Sequence, residues 1–257
     1  MSAISVALDL QVAAAPLTCA ETRPKPRERF VRFSRPLFWI AIAVVFIFSF
    51  VLDLGMVPTA SMERTVLVGD HLLMFKLPYG PRVPFTQLRL PQLRTPHPGE
   101  IVAFRSPFEP GEIYLKRVIA EAGDVVALHG GVLYVNGIRW RESYARVRPS
   151  RRWTWQENIG PYRVPAGMLF VLGDNRDNSE DSRYWGPIQA ESVIGEPLVV
   201  FWSYDAPSSA WLDPNWLHQV GLYASSVSHM TQIRWRRTGM LLCLKGYTFS
   251  FPSSQTI

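Results

Sequence analysis

The feature that most constrains this chain is residues 37–52, LFWIAIAVVFIFSFVL, where Ser49 alone interrupts the apolar character. A serine can turn its hydroxyl back onto the helix backbone, so the run predicts one continuous apolar helix. Its sixteen residues span about 24 Å at ~1.5 Å each, against a hydrocarbon core of roughly 30 Å. The flanking residues extend it, with Arg35 snorkelling toward the headgroups. A core helix keeps a polar face over four turns, and this run has none. A cleaved leader needs a small-x-small site just beyond it. The sequence there is DLGMVPTASM, and a cut near Ala60 would destroy the segment on which the chemistry below depends. The first twenty residues lack the basic start of a secretory leader. The reading is an uncleaved anchor over residues 37–54.

Charge sets the orientation. Of a net charge of +6, much lies in residues 21–35, where Arg23, Lys25, Arg27, Arg29, Arg32 and Arg35 stand against Glu21 and Glu28. Basic residues before a span mark its cytoplasmic side. Residues 1–36 are therefore expected in the cytoplasm and everything after about residue 54 outside it. A nucleic-acid binder spreads its basic residues over a folded face; here they abut the anchor, so no nucleic-acid partner is expected. Cys19 and Cys243 lie near opposite ends with no CxxC spacing and no histidine cluster. No metal, cofactor or redox centre is read from them. With Cys19 in a reducing compartment, no disulfide is expected.

Residues 55–204 predict an all-β domain. GEIVAFRS (99–106), IYLKRVIAEAG (113–123), DVVALHGGVLYVNGIRW (124–140), GMLFVLGD (167–174) and EPLVVFWSY (196–204) are rich in strand formers. HGG and NG are hairpin signals on either side of VLYV. Pro-rich residues 78–98 and 161–165 read as loops. Residues 205–257 read as a C-terminal tail with one short amphipathic piece. Within it, MTQIRWRRTGMLLCLK is a final helix or a membrane-surface segment.

Three segments bear on chemistry. The first, Val57-Pro58-Thr59-Ala60-Ser61-Met62, places a serine just beyond the anchor. A serine hydroxyl needs a nearby base to become a nucleophile, and the five histidines form no recognisable triad motif. The second is the strand-like run around Lys116. Alternation puts Tyr114, Lys116 and Val118 on one face and Leu115, Arg117 and Ile119 on the other. If the Lys116 face is the core-ward one, burial lowers the pKa of its amine, which can then accept the proton of a serine. Arginine stays charged and cannot. The third is the polar loop 173–186, GDNRDNSEDSRYWG, which can offer a hydroxyl to orient that amine. A fourth stretch, PGEIVAF, reads as a structural turn entering a strand.

Together these residues resemble bacterial type I signal peptidases. The matching blocks are PTASM, VGDHLLMFKLPYG, PGEIVAF, YLKRVIAEAGD and GDNRDNSEDSRYWG, in the family's order. The resemblance covers the anchor and nearly all of residues 56–204, and implies that residues 125–172 are a variable β insertion, short here and expected to form only a hairpin and a loop. It implies a coiled all-β catalytic domain behind one transmembrane helix, with a Ser/Lys dyad and no cofactor. Ser61 is then the nucleophile, Lys116 the general base and Ser179 the residue that orients it. Thr59, with the Ser61 N–H, forms the oxyanion hole, while Asp181 and Arg183 support the loop as a charged pair. A secretory precursor with a small-x-small site would lie extended near Val57 and Leu115. Only about six residues separate Asp53 from Thr59, which keeps the nucleophile near the bilayer surface. One departure is Arg64, where the family carries a proline that would stiffen the turn. The rivals are a soluble self-cleaving repressor with the same dyad, which the apolar anchor disfavours, and an inactive anchored domain that binds exported segments.

Overall fold

The computed structural model describes residues 26–86, 88–109, 111–147 and 157–242, with side chains from Ser34 onward. Cys19, Cys243, the first basic residues and the last fifteen residues fall outside that set. The chain divides into two units, residues 1–43 and residues 44–257.

Helix α1, Pro26–Phe46, carries on into a π-helical turn, Ile47–Val51. Residues Ser34–Val51 have a mean hydropathy of 2.0 and none is buried, so this stretch is long and apolar enough to cross a membrane. The helix begins earlier than its apolar run. It also ends sooner than expected, because residues 52–56 are strand β1 (Leu52–Met56), paired antiparallel with β2 (Asp70–Phe75). Asp53 and Gly55 therefore belong to a sheet and do not prolong the span.

The remaining strands are β3 (Ile101–Arg105), β4 (Ile113–Ala120), β5 (Val125–His129), β6 (Val132–Val135), β7 (Ile138–Arg139), β8 (Ile159–Arg163), β9 (Met168–Leu172), β10 (Ile188–Gln189), β11 (Val193–Ser203) and β12 (Met240–Leu241). The main sheet runs β1-β2-β11-β3-β4-β9-β10, with β12 added to β11. Its central strands are covered on both faces. In β3, Ile101 and Ala103 join an apolar cluster with Val57, Met62 and Val66. The alternate residues Val102 and Phe104 join a second cluster with Val118, Val171 and Val193. The period of two has thus sorted one strand between two cores.

The insertion is more than a hairpin. β7-β6-β5-β8 form a four-stranded antiparallel sheet, which includes residues 159–163, part of a stretch read as a loop. Asn136 (φ 54°) and Gly137 (φ 77°) turn β6 into β7, as the NG signal required. β9, expected within the insertion, belongs to the main sheet.

The C-terminal residues also differ from expectation. After α2 (Ser182–Trp185) and α3 (Ser208–Trp211), α4 covers Trp216–Ser228 and is a full helix, capped by the Asn215 side chain. The following segment is no helix. It passes through turns into β12, with Leu242 in the first core cluster. Arg237 reaches the fully buried Asp70, with Nε 3.0 Å from Oδ1 and Nη2 2.5 Å from Oδ2. Residues 205–242 are thus part of the domain.

Candidate active site

The site forms where β4 leaves β3 for β9. β4 pairs with β3 along residues 113–117, but with β9 only from Arg117 onward. Residues 113–116 therefore have β3 on one side and no strand on the other among the described residues. Lys116 is the last residue before the ladder closes.

Lys116 lies opposite Val102 and is only 4% exposed. Its Nζ donates to Ser179 Oγ at 3.0 Å. No carboxylate among the described residues comes within ion-pair distance of it. Burial draws its pKa down from 10.5 to about 8; Asp181 opposes this and Arg183 assists it. The Asp181 carboxylate is already claimed by Arg183, with Nε–Oδ1 2.8 Å and Nη2–Oδ2 2.9 Å. Asp181 Oδ2 also accepts from the Gly173 N–H at 3.0 Å, and Oδ1 from the Arg183 N–H at the start of α2. Arg183 in turn binds the carbonyls of Arg176 and Ser179. The pair thus braces the loop that carries Ser179.

Arg117, on the opposite face, was expected to point away from Lys116, and it does, but into protein. It is 2% exposed. Nε and Nη2 grip Asp174 at 2.8 and 2.6 Å, Nη1 donates to Gly99 O at 2.7 Å, and the guanidinium lies 4.0 Å from the Tyr144 ring centre.

Ser61 sits in a 3-10 turn, Ala60–Met62, preceded by Thr59 in extended conformation. Its N–H is among the first of the turn and has no acceptor within it. Ser61 Oγ lies 3.4 Å from Thr59 Oγ1. Met62 is buried in the first core cluster and anchors the turn. Behind it, Ser61 O accepts from Asn175 N at 3.0 Å, and Asn175 Nδ2 donates to Ala60 O at 3.0 Å.

Gly173 is where these two elements meet. A Cβ there would fall 2.1 Å from Ser179 Oγ and 2.6 Å from Ser61 O. Only glycine permits that approach. The Ser61 turn and the Lys116–Ser179 pair are therefore neighbours on either side of one Cα.

Val57 is 5% exposed, and Leu115 packs against the same apolar cluster. The backbone of Val57 is already used: its N–H donates to Asp70 O and its carbonyl accepts from Gly69 N. It offers a side chain, and residues 113–116 offer the open edge. Arg64 has φ 99°, which proline cannot adopt, and its Nη1 donates to Ala145 O at 2.8 Å. That hydrogen bond ties the turn to a residue 81 positions further along the chain. Sequence reading passed over Gly173, Asn175 and Arg117. The first two lay inside the polar block, where a glycine after a strand was the available signal. Among the described residues no three His, Cys, Asp or Glu side chains converge as a metal-binding group.

The chain is similar to known proteins. The family model for signal peptidase, peptidase S26, matches residues 30–202. A signal peptidase I of Pseudomonas fluorescens is 31% identical, covering 75% of this chain and 78% of its own length. A probable signal peptidase I-2 of Synechocystis is also 31% identical, over 72% of this chain and 79% of its own. A crystal structure of a signal peptidase I from Enterococcus faecalis, 33% identical, covers 40% of this chain and 97% of its own at a TM-score of 0.35.

Proposed function

This chain belongs to the signal peptidase family, peptidase S26, and from that membership we propose that it is a membrane-anchored serine endopeptidase that removes signal peptides from exported precursors, with Ser61 as nucleophile and a neutral Lys116 as general base. The observation that carries this reading is an amine 4% exposed, with no carboxylate among the described residues within ion-pair distance, and drawn down to about 8, beside the Ser61 turn. A stability-only role would call for a partner, as Arg117 has.

The precursor lies extended against the open edge of residues 113–116, adding a strand. Small side chains at the first and third positions before the cut rest on the patch that Val57 and Leu115 share. Lys116 takes the proton of Ser61 Oγ, which attacks the scissile carbonyl. The Ser61 N–H and the Thr59 hydroxyl hold the developing oxyanion. Lys116 then protonates the departing amine and activates the water that cleaves the acyl-enzyme. Ser179 orients the amine throughout, and Asp181 with Arg183 fixes Ser179. The helix through Ser34–Val51 anchors the enzyme in the cytoplasmic membrane of its host, with the basic N-terminal residues in the cytoplasm and the β domain outside.

The test is cleavage of a precursor with a small-x-small site by the purified full chain. Ser61→Ala and Lys116→Ala should each abolish it, and Lys116→Arg should be as inactive. Turnover by any of the three would remove that residue from the mechanism. Thr59→Val should raise the barrier by about 2.7–4 kcal/mol, the usual worth of an oxyanion donor.

A further inference from the structure

We propose that residues 142–146 are a positioning strap for the nucleophile turn, with Arg146 and Arg64 its two points of attachment. The proposal rests on Ser61 being the nucleophile. The segment lies in the insertion, outside every block of the resemblance, and reaches the site from two directions.

From behind, it holds the loop that holds Ser61. The Arg146 N–H donates to Asp174 O at 2.7 Å, and Arg146 O accepts from Arg176 N at 3.0 Å, a parallel bridge spanning Asn175. Asn175 is the residue whose backbone and side-chain amides hold Ser61 O and Ala60 O. From the front, it holds the turn itself. Arg146 Nη1 lies 3.1 Å from Glu63 Oε2, which also accepts from Asn175 Nδ2 at 3.2 Å. Arg64 Nη1 donates to Ala145 O. Thr65 N donates to Met62 O at 3.1 Å, and Arg64 occupies the positive-φ position of that turn, where an L side chain is strained. The hydrogen bond to Ala145 stabilises this conformation.

The strap is itself fixed at its other end. Glu142 pairs with Arg176, Nη1–Oε2 2.8 Å, and Tyr144 lies under Arg117. It thus couples the turn to the most deeply buried ion pair of the site. Both attachment points are solvent-accessible: Arg64 is exposed, and Arg146 and its partner Glu63 keep 36% and 41% of their side chains exposed. Removing them loosens geometry without opening the core. An error of about 1 Å in the attacking group costs up to 10²-fold in rate.

The experiment uses the full chain in detergent and a small-x-small precursor. Arg146→Ala and Arg64→Ala should each lower kcat about tenfold, leaving KM and the thermal midpoint unchanged. Arg146→Lys, which can still reach Glu63, should recover most of that loss. Ser61→Ala is run beside them. If it turns over, the nucleophile assignment falls; if it is inactive, the other variants judge the strap alone. Unchanged kcat, a loss appearing in KM, a loss that follows a lowered midpoint, or failure of the lysine to rescue would each overturn the strap.

Discussion

Lys116 and Arg117 are consecutive on β4 and both buried, but among the described residues only Arg117 has a carboxylate partner. The paired cation supports the fold. The unpaired one costs stability, because burial favours its neutral form.

Their truncation should therefore have opposite consequences. The Lys116 pKa is lower folded (about 8) than unfolded, so the unfolded chain binds the proton more tightly. Stability falls as pH drops from the unfolded value through about 8, and at pH 7 the whole penalty is in force. Lys116→Met should be inactive yet more stable at pH 7, by on the order of 1–3 kcal/mol. Arg117→Met strands the Asp174 carboxylate and should cost about 3–5 kcal/mol. Denaturant titration at pH 7 checks both; a destabilised Lys116→Met would contradict the burial penalty.

The pH dependence of cleavage should report the same amine. kcat/KM should rise with pH through an acidic limb near 8. Arg183 lowers the Lys116 pKa, whereas the Asp181 it pairs with raises it. Arg183→Gln should therefore move the limb to higher pH. A limb that stays in place would separate this pair from the titration of Lys116.

Gly173→Ala should abolish cleavage, because the added methyl overlaps Ser179 Oγ and Ser61 O. The rate should fall at least about 10²-fold. Full activity in this variant would mean that the two elements are not held against that Cα.

At the far end of the sheet, Arg237→Ala should destabilise the domain by about 3 kcal/mol, because Asp70 is fully buried and keeps the Leu67 N–H at 2.8 Å but, among the described residues, no cation nearer than Arg234 at 4.0 Å. Thermal melting checks this. An unchanged midpoint would make residues 205–242 the dispensable tail that composition suggests.

The sequence by itself determined whatever depends on near neighbours. The apolar run at residues 37–52 made a helix, long enough to cross a bilayer once Ser34–Val51 is taken together, alternation in β3 and β4 set which face each residue takes, and Asn136-Gly137 made a turn. The order of blocks around Ser61, Lys116 and Ser179 identified the family. Tertiary structure decided what depends on residues far apart in the chain. Arg117 and Asp174 are separated by 57 positions, Arg64 and Ala145 by 81, and Asp70 and Arg237 by 167. Arg117 shares its face of β4 with Leu115 and Ile119, and nothing local says that a carboxylate will meet it in the core. Periodicity is a property of the chain along its own length. A buried charge is allowed or forbidden by whichever group folding brings to it.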